Sequence, residues 1–185
     1  MDDEGKPMRI RYSVVAGVAT VVAVAGVASA APGDTTVTFS VSGGSLAISV
    51  PGSAGLGSGL PGNTLSGQLG NVTVTDTRAL LTAAWTASVI STSFKTGGGT
   101  AAETIPASAV SYWSGTASST TGLGVFTPGQ ATAGQAQTLD VSRTAYSLTG
   151  GTGNNSATWN PTLVIAIPNS AVNGTYTGTV THSIA

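Results

Sequence analysis

Apolar and polar residues alternate with period two along most of the chain, the pattern of strands that bury one face. Val37, Phe39 and Val41 alternate with Thr36, Thr38 and Ser40, and the alternation resumes at Leu46, Ile48 and Val50. Between them, Ser42, Gly43, Gly44 and Ser45 predict a hairpin turn, because paired glycines accept positive φ. Residues 51–62 read as a glycine-rich loop. Val72 and Val74 open a strand running towards Asp76, and Trp85, Ala87 and Val89 alternate with Thr86 and Ser88. Residues 79–84 are predicted to make one helical turn at most, and no other stretch sustains a helical period. The polar stretch 96–134 contains two short strand-like segments, 110–113 and 123–126. The run 162–167 is nearly all apolar, and 176–184 alternates again. Many short strands separated by Gly, Pro and Asn, without helices, predict an all-β fold, an antiparallel β-sandwich of the immunoglobulin-like kind.

The first thirty residues follow a different logic. Arg9 and Arg11 precede an apolar run over 14–27, and Ala28, Ser29 and Ala30 form a small-residue cleavage site. That order predicts a secretory signal peptide over 1–30 and a single mature domain over 31–185. The apolar run is shorter than the roughly 20 residues a spanning helix needs, so retention as an anchor is the alternative. Asp2, Asp3 and Glu4 are unusual ahead of such a leader, which points to Met8 as the translation start.

Charge is scarce. After residue 30 only Asp34, Asp76, Arg78, Lys95, Glu103, Asp140 and Arg143 carry a full charge, so Thr, Ser, Asn and Gly must cover the surface. Without a basic patch, nucleic acid and anionic membranes are poor partners. The chain has no cysteine and one histidine, His182, which leaves no disulfide framework and no zinc set. The carboxylates are too scattered for calcium, and no cofactor is predicted. A hydrolytic triad would have to recruit His182 with Asp76 or Asp140, and no G-x-S-x-G turn supports it, so the chain is predicted not to be an enzyme. The loop at 51–62 lacks the lysine and following helix of a phosphate cradle. The internal LPGNT at 60–64 lacks a following anchor, so any hold on a cell wall would be non-covalent.

Tyr176, Val180, Thr181, His182 and Ile184 resemble the distal Y-x-x-x-L-T-W-x-L motif of the WxL family of Gram-positive surface proteins, with His182 where tryptophan is usual. Asp76 and Arg78 followed by Trp85 resemble that family's D-x-R stretch and first W-x-L, with Ala87 replacing the leucine. Trp159, Asn160 and Pro161, the run to Ile167 and Pro168, and Gly174, Thr175 and Tyr176 are similar to its approach to the last strand. The resemblance implies a secreted β-sandwich at the cell surface, bound non-covalently to the wall with peptidoglycan or wall glycan as ligand.

Single positions carry further expectations. Trp85 shares a face with Ala87 and Val89 and reads as core; Asp76 and Arg78, two apart on a strand, read as a surface ion pair. His182 reads as a neutral ring packed on the apolar face with its nitrogens hydrogen-bonded, or as a ligand contact or pH-sensitive group. Tyr112, Trp113 and Trp159 lie beside loops, as packed anchors or as rings that stack on sugars. A second class of function is adhesion, with the edge strand 176–184 pairing to other surface proteins. A secreted hydrolase is the third.

Overall fold

The computed structural model describes residues 37–185; the predicted leader and the start of the mature chain lie outside the described residues. Val41–Ala185 form one compact unit, which does not include residues 37–40. Eleven strands run through the described residues: β1 Leu46–Ser49, β2 Thr64–Gln68, β3 Val72–Ser91, β4 Phe94–Lys95, β5 Thr104–Ile105, β6 Val110–Trp113, β7 Ser119–Pro128, β8 Gln137–Thr138, β9 Arg143–Trp159, β10 Thr162–Ala166 and β11 Val180–Ile184. Every pairing among them is antiparallel, so the fold is all-β, broken only by three short 3-10 turns.

A five-stranded sheet has the order β1-β3-β9-β7, with β11 also on β3; β2-β10-β6-β8 form a second sheet, and β4 and β5 a small third. β1 takes the first part of one β3 edge, opposite Thr73 to Asp76, and β11 takes the last part, opposite Ala87 to Ser91. The inward residues of the two main sheets form one core, including Val72, Val74, Val89, Ala157 and Trp159 from the first and Val110, Tyr112 and Leu163 from the second.

A straight 20-residue strand would reach about 65 Å. β3 is bent instead. Trp159 pairs with Val72 at its start and His182 with Val89 near its end, yet both rings reach the hydroxyl of Tyr112. The bend lies where pairing to β9 loses register, between Asp76 and Trp85. Ala79 there has φ 55°, a strained left-handed conformation for a residue with a Cβ. The predicted helical turn at 79–84 is therefore a looped-out bulge in a strand, exposing Leu80 and Leu81.

Two expected strands are also shorter than the pattern implies. Residues 37–45 form no strand. Gly44 donates its N–H to the Thr77 carbonyl, and a Cβ on Gly43 would collide with the Arg78 carbonyl, so these glycines lie flat against β3 instead of making a hairpin. Residues before Gly43 would meet the bulge, which offers no regular ladder to extend. In 176–184 only Val180–Ile184 belong to β11, because Thr177 crosses to pair with Lys95 and Gly178 packs against the Phe94 ring.

Candidate functional site

The outer face of the bent sheet is built from hydroxyls. In β3, Val72, Val74 and Asp76 point inwards and are buried, which turns Thr73, Thr75 and Thr77 outwards. In β9, Asn155, Ala157 and Trp159 are buried and Ser156 and Thr158 face out. Register aligns these positions across strands: Ser49, Thr73, Thr158 and Ser119 form one row, and Thr75, Ser156 and Thr121 the next. Neighbouring strands lie about 4.8 Å apart and successive outward residues about 6.7 Å apart, so the hydroxyls stand on a regular grid. Thr73 Oγ1 and Thr158 Oγ1 are 3.0 Å apart, and Thr121 Oγ1 and Ser156 Oγ are 2.7 Å apart, which fixes their rotamers. Such a grid can exchange hydrogen bonds with a hydroxyl-rich surface. Its sequence signal is the T-x-T-x-T of β3 repeated in the S-x-T of β9.

Beneath this face lies a polar cluster. Asp76 is fully buried and its carboxylate accepts two bonds from the Arg78 guanidinium, at 2.9 Å each, and one from the Arg78 backbone N–H. Asn155 Nδ2 donates to the other side of that carboxylate, and Trp85 Nε1 donates to Asn155 Oδ1 at 2.8 Å. Arg78 closes the bulge by donating to the Ala84 carbonyl. The pair expected at the surface is therefore a buried carboxylate under a partly exposed guanidinium. The Arg78 hydrogen bonds, which outweigh burial, hold the Asp76 carboxyl below its ordinary value. Trp85 is core, as its alternation implied, and its ring leans on Phe126 with centroids 6.3 Å apart.

Tyr112 and Trp159 are fully buried, so neither ring offers a face to a sugar. Tyr112 alternates with Val110 on the inward side of β6, and Trp159 ends β9 stacked on Tyr146 at 4.9 Å. Trp113 turns the other way and is half-buried. Trp159 Nε1 donates to Tyr112 Oη, and the same hydroxyl shares a hydrogen bond with His182 Nε2 at 3.2 Å. His182 is thus a neutral ring, its pKa lowered to about 4 by burial, and burial pushes the Tyr112 phenol well up. Thr181 faces outwards on β11, and Tyr176 lies before that strand, its hydroxyl receiving the Val172 N–H and lying 3.1 Å from the Ala102 carbonyl.

A cleft of about 720 Å³ opens beside these residues, between the loops 54–61 and 171–178. Its floor is apolar, with Leu65, Phe94, Ile105, Ile165 and Ile167, and no charged side chain lines it. Among the described residues no three His, Cys, Asp or Glu side chains gather to hold a metal. No helix of the described residues is long and apolar enough to cross a membrane. Compared with protein-family models, curated proteins and solved structures, the chain matches none of them.

Proposed function

We propose that this is a non-catalytic, secreted surface module, an immunoglobulin-like β-sandwich related to the WxL domains, that associates with the cell wall without a covalent bond. The observation that carries the reading is the hydroxyl grid of β1, β3, β9 and β7, a regular array of uncharged side chains suited to peptidoglycan or another wall glycan. The titratable groups favour binding over catalysis, because they serve the fold: Asp76 holds Arg78 and Asn155, Glu103 caps Thr100, Asp140 takes the Thr138 hydroxyl, and His182 meets Tyr112.

Retention on purified, protein-free cell walls tests the proposal. The exported chain is expected to stay bound in moderate salt, because few charges are available to be screened. The double variant Thr75→Glu, Thr121→Glu is expected to lose retention with its melting temperature unchanged. Free passage of the parent chain, or full retention of the variant, refutes the hydroxyl face as the binding surface. Adhesion to a protein partner is the second reading. It is favoured by β7, ten residues long, uncharged, bonded only to β9, with Leu123 and Val125 exposed.

A further inference from the structure

The chain carries both an uncharged apolar cleft and an unpaired segment with the right pattern to fill one. The cleft reaches the edge of the core, since Ile105 and Ile165 on its floor belong to the central cluster. Its cover is a loop, not a strand, and one side of that loop is open: a Cβ on Gly55 would have nothing within 4 Å. The unpaired segment is 37–41, where Val37, Phe39 and Val41 alternate with Thr38 and Ser40 and no charge occurs from 35 to 45. As an extended strand it places three apolar side chains on one face over about 13 Å, with polar residues on the other. In the described structure it belongs to no strand, and Val41 is 78% exposed.

We propose that residues 37–41 of one copy lie as an added strand in this cleft of a second copy, with Val37, Phe39 and Val41 turned to its apolar floor. Backbone hydrogen bonds to the cleft walls supply affinity, and the alternate side chains supply register. The occupant is a second copy because the chain's own arm is too short to turn back from its anchor. Gly43 and Gly44 are fastened to Arg78 and Thr77 at the bend of β3, whereas the cleft wall begins at Ala54, beyond the far end of β1. Residues 43–50 already span about 23 Å, and the arm 37–42 extended covers only about 20 Å, so it would be used up in turning back. A donor on one surface and an acceptor on another make the contact head-to-tail, which adds copies one after another until the rotation between them closes a ring. This association is independent of wall binding and needs no wall to be observed.

Sedimentation of the purified exported chain over a concentration series gives the test. The parent is expected to form a ladder of oligomers that persists in high salt, and Phe39→Asp to lower the association constant by at least about tenfold, because a charge would enter an apolar cleft. A synthetic peptide of residues 35–42 in excess should reduce the ladder to monomers. Because the chain lacks cysteine, Phe39→Cys and Val172→Cys single variants can be mixed. A disulfide-linked dimer is expected in the mixture and in neither variant alone. A parent that stays monomeric, a Phe39→Asp variant that assembles like the parent, or a double cysteine variant that closes within one chain at high dilution would each overturn the proposal.

Discussion

Tyr112 and His182 meet at 3.2 Å between the second sheet and the last strand of the first, with Trp159 completing the chain of donors. Burial of His182 at this contact makes stability depend on pH in a defined window. The folded pKa of His182 is near 4 against an ordinary 6.5, so between those values the unfolded chain binds the extra proton. The His182 contribution should therefore be lost as pH drops from 6.5 to 4, by on the order of 3 kcal/mol in all. Urea midpoints measured at half-unit pH steps show this, and His182→Phe should remove the slope while lowering the plateau.

Asp76 adds a second window at lower pH. Its carboxyl is held below 3.8 in the fold, so its contribution is complete above about pH 5 and is lost as the medium becomes more acid than its ordinary value. The His182→Phe variant should retain this lower phase. Asp76→Asn should remove it, at a cost of about 3 kcal/mol or more, because the charge-assisted bonds to Arg78 disappear.

Asn155 links Trp85 to Asp76, and replacing it by Leu leaves the indole N–H of Trp85 buried without an acceptor. A loss of about 1–3 kcal/mol is expected in equilibrium unfolding. A variant as stable as the parent would show that the cluster contributes nothing net.

The three tryptophans differ in exposure, which fluorescence quenching reads directly. Trp85 and Trp159 are buried and Trp113 is half-buried, so acrylamide should quench one emission component while leaving two protected. Trp113→Phe should abolish the quenchable component without loss of fold.

Ala79 sits at φ 55°, and glycine removes that strain. Ala79→Gly is expected to raise stability by about 0.5–1 kcal/mol, and Ala79→Val to lower it by more.

Alternation made much of this fold legible. Val72 and Val74, Trp85 with Ala87 and Val89, and the run around Leu163 all lie where their period placed them. It misled where a strand changes direction. At 79–84 the small residues of the bulge resemble a helical turn, because nothing local reveals that Arg78 will close it onto Ala84. Proximity to loops left Tyr112 and Trp159 open between packed anchors and sugar-stacking rings, and their burial decides for the first, in line with the alternation of Val110 and Tyr112. The hydroxyl grid was half visible: each threonine could be assigned to an outer face, but the rows exist only once β1, β7 and β9 are aligned on β3. The alternation of Val72 and Val74 already put Asp76 on the inner face; what no local pattern showed is its partner Asn155, 79 residues away.

The sharing of one β3 edge by β1 and β11 has a kinetic consequence. The strand that begins at Leu46 and the one that finishes at Ile184 must both arrive before that edge is sealed, and His182 comes with the later one. A chain in which β11 has not yet docked is left with its interior ajar at Tyr112, so folding should behave as a single late event, slow for its size, in which Val180–Ile184 act as the latch.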